Sequence, residues 1–229
     1  YLALELLERE DEDNLQDTIV RDFIEDGTIS QLETAIKKME TDVVDTFYES
    51  SELFLDLVEN YRKEGLYEKH LAQIAIIAEK NLCGEFFAED EIEAVWQDFE
   101  NVWQQYQSLW RNFLLEEIYA DSLMPQGDLQ SMVMKLQWIA MEYVIIRQMV
   151  FLKWQQNGTV SYEEIRDCIV VACRMMGYDE EDVEEYLLNS FEELIWEWRS
   201  LMESVGHYED LGHCDTCGDD ISKYTVNIE

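Results

Sequence analysis

Residues 129–156 read LQSMVMKLQWIAMEYVIIRQMVFLKWQQ, and this stretch decides the fold. A helix drawn over it is apolar on most of its circumference, whereas a helix lying at a surface carries a single apolar stripe. Such a helix has neighbours on several sides, which predicts the central element of a helical bundle. Its most apolar part, Trp138 to Leu152, is interrupted by Glu142, Arg147 and Gln148 and is shorter than the roughly 20 apolar residues a membrane span needs. The stretch therefore reads as a core helix, and no contact with a membrane is expected.

Upstream, Ile92, Val95, Trp96, Phe99, Val102, Trp103, Tyr106, Leu109, Trp110, Phe113 and Leu114 recur at three- and four-residue spacing. This predicts a helix from about Glu89 to Ala120 whose seam packs on the central one. An aromatic stripe at that spacing reads as core before it reads as a cofactor platform. Other boundaries are legible too. Ser30 with Glu33 spells a capping box, and Thr41 is placed to cap a helix carrying Val44, Phe47, Tyr48, Phe54, Leu55, Val58 and Tyr61, which Gly65 ends. A helix from Tyr67 to Asn81 stops at Cys83-Gly84. Pro125 to Asp128 turns into the central helix and Asn157-Gly158 closes it. Ser161 with Glu164 opens the next helix, and Gly177-Tyr178-Asp179 separates that from a last one through Leu187, Phe191, Leu194 and Trp198.

With one proline, nine glycines and no strand alternation, the expectation is all-α: a single-domain bundled or orthogonal fold of about eight helices around a long central helix. No low-complexity linker and no repeat of solenoid length divides it. The domain is expected to span residues 1–206, with 207–229 a polar C-terminal tail.

The chain's 229 residues suffice for a sizeable core, and 47% hydrophobic with 12% aromatic content excludes disorder. Asp and Glu number 52 against 16 Lys and Arg, a formal charge of -36. That field repels nucleic acid and anionic lipid, so the expected partner is a basic protein or peptide. A merely solvated acidic surface, a DNA mimic and salt adaptation are the competing readings, and the oligomeric state is not legible. Five cysteines are an odd number, and Cys168 and Cys173 sit in an apolar helical run as buried thiols, so no disulfide framework is expected. Tyr1-Leu2-Ala3-Leu4-Glu5 shows no signal-peptide pattern, and the missing Met points to a start further upstream. The expected location is the cytoplasm.

Carboxylates are too abundant for pairs at helical spacing to nominate an acid and a base. Charges on the apolar central helix say more: Lys135, Glu142, Arg147 and Lys153 must be paired or must line a cavity. Structural ion pairing is the first reading; the second is a substrate or partner pocket formed by Lys135, Glu142, Tyr143 and Arg147. His70, isolated near an apolar helix, reads as structural. In the tail, His207, His213, Cys214 and Cys217 fall within eleven residues, and Cys-x-x-Cys can place two thiolates on one zinc ion or iron-sulfur cluster. A redox-active or incidental dithiol is the alternative.

From about Arg111 to Tyr186 the chain resembles the C-terminal helical region of the flagellin lysine-N-methylase family. The features that carry this are Arg111-Asn112-Phe113-Leu114, the turn at Gly127-Asp128, the apolar helix with Lys135, Tyr143, Ile146 and Arg147, then Lys153-Trp154, Asn157-Gly158 and Ser161-Tyr162-Glu163-Glu164. Cys214-Asp215-Thr216-Cys217 is similar to a cysteine pair in the family's cluster region. The resemblance implies transfer of a methyl group from S-adenosylmethionine to flagellin lysines, with an iron-sulfur cluster held by a cysteine-rich N-terminal part. Two functions stand at this point. One is an acidic helical interaction module that holds a basic protein or peptide; the other is a lysine N-methyltransferase or a part of one.

Overall fold

The computed structural model describes residues 42–122, 129–177 and 180–192, together with Ser30, Thr34, Ile195, Trp196, Leu201, Ser204 and Val205. These residues contain seven α-helices and no strand: α1 (Val43–Lys63), α2 (Glu68–Leu82), α3 (Glu89–Trp103), α4 (Gln107–Glu117), α5 (Leu129–Asn157), α6 (Tyr162–Met176) and α7 (Glu180–Phe191). The all-α expectation holds, and the long central helix is α5, at 29 residues. No helix among the described residues is long and apolar enough to cross a membrane.

The helix ends follow local chemistry. The Asp42 carboxylate accepts from the Val44 amide at 2.8 Å and so caps α1, while Thr41, expected in that role, lies outside the described residues. The far end of α1 closes on Gly65, whose φ of 69° only glycine adopts readily. There the Leu66 amide donates to the Tyr61 carbonyl and the Gly65 amide to the Arg62 carbonyl, satisfying two otherwise orphaned acceptors. At α6 the expected capping box is complete: the Glu164 amide donates to Ser161 Oγ at 3.3 Å and the Ser161 amide to the Glu164 carboxylate at 2.8 Å. The expected box at Ser30 and Glu33, and the turn at Pro125 to Asp128, involve residues outside those described.

Helix α5 packs against α1, α2, α4 and α6, while α1 also packs on α2 and α3. Every residue from Met141 to Leu152 is buried, as an all-round apolar helix requires. The predicted seam does meet α5, largely through rings. Phe151 lies edge-on to Phe99 and Phe47 and tilted on Trp96, with centroids 5.2, 5.8 and 5.2 Å away. The seam is not one helix, however. A single 3-10 turn at Gln104–Tyr106 separates α3 from α4. The change of pitch lets Trp103 and Trp110 stack at 3.7 Å with their planes 17° apart. The Tyr106 hydroxyl, at the break, donates to the Val160 carbonyl at 3.1 Å. The last helix is also shorter than expected. It stops at Phe191, with Glu192 in a left-handed conformation, and of the two further residues assigned to it Leu194 and Trp198 lie outside the described residues.

Candidate functional site: charged residues of the central helix

The polar side chains of α5 face four neighbours. Gln148, fully buried, accepts from the Ser50 hydroxyl at 3.3 Å and donates to Ser51 Oγ at 2.9 Å, which joins α5 to α1. Gln155 and Asn81 exchange two hydrogen bonds of 2.9 Å, which joins α5 to α2. Gln137 pairs with the backbone of Trp196, donating to its carbonyl at 2.9 Å and accepting from its amide at 3.3 Å. Each pair satisfies groups that would otherwise cost about 1–3 kcal/mol to bury.

Arg147 closes the upper part of the helix. Its guanidinium pairs with the Glu100 carboxylate of α3, donates to the Val205 carbonyl at 3.0 Å and lies 4.8 Å over the Trp96 ring. The space around it, bounded by Thr46, Ser50, Trp96 and Gln148, leaves no room for a water molecule. Tyr143 is equally enclosed: its hydroxyl accepts from the Trp103 indole at 3.1 Å. Of the four pocket candidates, Arg147 and Tyr143 therefore stand in packed core surroundings.

Lys135 and Glu142 come together elsewhere. They line one cleft of about 180 Å³ with Glu117 from the end of α4, Trp138 and Ile139 of α5, and Cys173 and Gly177 at the end of α6. Glu142 is only 6% exposed, so its carboxylate faces a sheltered space and not open water. Burial pushes the Cys173 thiol up to about 12, and the Glu142 and Glu117 carboxylates push it the same way. A thiol so placed stays protonated at neutral pH, and Cys173 offers no nucleophile. Trp138 brings an indole whose buried Nε1–H has no hydrogen-bond partner among the described residues. The lining thus combines two acids, one base, an aromatic wall and an aliphatic wall, a set suited to a cation with an apolar stem. Glu117, Trp138 and Cys173 were not legible as lining residues, because they come from three helices and only the packing of α4 and α6 on α5 unites them.

Lys153 is half-buried near Cys168, whose thiol burial pushes up to about 12 against the pull of that ammonium. His70 is half-buried on α2. Among the described residues no group of three or more His, Cys, Asp or Glu side chains is arranged to hold a metal ion, and His207, His213, Cys214 and Cys217 lie outside them.

A comparison against protein families gives a match over most of the chain. Residues 1–203 match the FliB lysine N-methylase C-terminal domain. The chain belongs to this family. The match extends well beyond the region from Arg111 to Tyr186 that carries the resemblance by eye, since helices α1 to α3 are also part of the FliB lysine N-methylase domain. Their composition is ordinary for amphipathic helices, so no single residue there betrays the relationship. No curated protein and no solved structure matches the chain. Within this FliB lysine N-methylase C-terminal domain, the cleft of Glu117, Lys135, Trp138 and Glu142 is a place where a buried carboxylate borders open space.

Proposed function

We propose that this domain is the partner-holding module of a lysine N-methylase: it binds a basic protein or peptide, flagellin being the substrate the family implies, and seats a lysine side chain in the cleft of Glu117 and Glu142. The single observation that carries this is the 6% exposed Glu142 in a cleft beside a second carboxylate and an indole, in a chain with 36 surplus negative charges. A lysine ammonium is drawn to the chain by its overall field, and its methylene stem packs on Trp138 and Ile139 while the head approaches the carboxylates. Lys135 in the same lining limits the negative charge, so the cleft neutralises an incoming cation without holding two unopposed acids. Nucleic acid and membrane surfaces are not partners in this reading, because their phosphates meet the same field with the opposite sign. Calorimetry with a lysine-rich flagellin peptide, and with the same peptide carrying norleucine for lysine, tests it. Binding of the lysine form alone is expected; equal binding of the norleucine form contradicts it.

Family membership favours a second reading, in which the chain itself takes part in methyl transfer from S-adenosylmethionine. A zinc ion or iron-sulfur cluster at Cys214 and Cys217, with His207 and His213, would belong to that reading. Purified chain reconstituted anaerobically with iron and sulfide, then given S-adenosylmethionine and flagellin, decides between them. Transfer supports the second reading and its absence the first.

A further inference from the structure

Asn157 and Gly158 form the one Asn-Gly dipeptide of the chain, and they stand at the corner between α5 and α6. An asparagine before a glycine is chemically labile, because no Cβ hinders the glycine nitrogen from reaching the asparagine side-chain carbonyl carbon. Both residues are exposed, and apart from its chain neighbours nothing lies within 4 Å of where a Gly158 Cβ would stand, so water has access to the corner. Two hydrogen bonds keep the reacting groups apart. The Gly158 amide donates to the Trp154 carbonyl at 2.7 Å, and Asn157 Nδ2 donates to the Glu164 carboxylate at 3.4 Å. The first closes the last turn of α5, where helices fray, and the second is at the long limit for a hydrogen bond. The corner can therefore open while the rest of α5 stays folded.

Glu164 has a second duty. It accepts from the Ser161 amide and the Ser161 hydroxyl, each at 2.8 Å, which completes the box that starts α6. Through this one carboxylate, Asn157 ties the end of α5 to the cap of α6.

We propose that Asn157 is a self-modifying site, converted slowly to aspartate or isoaspartate, and that the conversion unfastens the end of α5 from the cap of α6. In the open corner the Gly158 nitrogen gives up its proton to water or hydroxide and attacks Asn157 Cγ. The bond from Cγ to Nδ2 breaks and the nitrogen leaves, protonated, as ammonia. One water then opens the five-membered imide at either carbonyl, giving aspartate by one route and isoaspartate by the other. The sum is one water consumed and one ammonia released. The new carboxylate lies at the negative end of the α5 dipole and beside Glu164, so a hydrogen-bond donor is replaced by a like charge. The isoaspartyl form also lengthens the main chain by a methylene just before Gly158, whose left-handed φ of 72° makes the turn.

The test ages the full 229-residue chain at mildly alkaline pH, with and without denaturant, and follows each asparagine by peptide mass mapping. In the folded chain Asn157 should convert before Asn189, the exposed asparagine that precedes a serine, and denaturant should speed its conversion severalfold by removing the two hydrogen bonds. Asn157→Asp should lower the melting temperature by roughly 2–4 °C. If that variant fails to fold, the aged unaltered chain gives the same reading against Asn157→Gln, which should age without such a fall. Conversion of Asn189 ahead of Asn157, or a rate at Asn157 that denaturant leaves unchanged, overturns the site and its gating. A melting temperature that stays the same after conversion overturns the unfastening.

Discussion

Two charged positions five residues apart on α5, Glu142 and Arg147, are nearly equally buried, at 6% and 7% exposure, yet they sit in different kinds of place. Arg147 meets a carboxylate from α3, a backbone carbonyl at Val205 and the face of Trp96, in a space too small for water. Glu142 opens on a cleft of about 180 Å³ that α4 and α6 border but do not fill. Five residues carry a helix through about one and a half turns, so the two side chains face different neighbours. Burial by itself does not mark a site. The two surroundings differ in whether the neighbouring helices close over the charge.

The contrast can be broken from its packed side first. Trp103, 4% exposed and stacked on Trp110, anchors the aromatic layer that bears on the enclosed part of α5. Trp103→Ala should cost about 3–5 kcal/mol of stability in denaturant unfolding. A loss under about 0.5 kcal/mol would remove the premise that this side is packed. Arg147→Ala should cost about 2–4 kcal/mol, the lower end reflecting the 23% exposure of the Glu100 side chain left behind. Lys135→Met, on the open side, should change stability by no more than about 0.5 kcal/mol. Equal losses for Arg147→Ala and Lys135→Met would erase the distinction.

Much of this architecture was legible before any coordinates. The all-round apolar character of residues 129–156 specified a central helix because no other arrangement keeps that much apolar surface from water. Ser161 with Glu164 announced the start of α6, since the capping box is a local motif. The break at Gln104–Tyr106 was not legible: QQY is compatible with a continuing helix, and the stacking of Trp103 on Trp110 that accompanies it is a tertiary contact. Lys135 and Glu142 stood out as charges on an apolar helix, but the same criterion selected Arg147. Their surroundings differ through tertiary contacts, Glu100 of α3, Trp96 and the Val205 carbonyl around Arg147 against Glu117 of α4 and Cys173 of α6 around the cleft.

A smaller effect sharpens the account of the cleft. Cys173 and Cys168 both have thiols pushed up to about 12, chiefly by burial, against about 8.5 in an unfolded chain. A raised folded value means that this contribution to stability is complete below the unfolded value and is lost as pH rises through the range between about 8.5 and 12. Thermal stability should therefore decline above about pH 9. At pH 8.5, iodoacetamide should modify the exposed Cys83 well before Cys168 or Cys173, as read by peptide mass mapping. Prompt labelling of Cys173 would mean that the cleft is wetter and less shielded than its lining indicates.

The central claim, that buried Glu142 and the acidic field together seat a basic partner, is tested most directly by the salt dependence of binding. Affinity for a lysine-rich flagellin peptide is measured between about 50 and 500 mM salt, over which the screening length falls from roughly 14 to 4 Å. The account predicts that affinity weakens severalfold across this range for the unaltered chain, and that Glu142→Gln binds more weakly at every point while keeping its helical circular dichroism. Affinity that stays flat with salt and is unchanged in Glu142→Gln would contradict it.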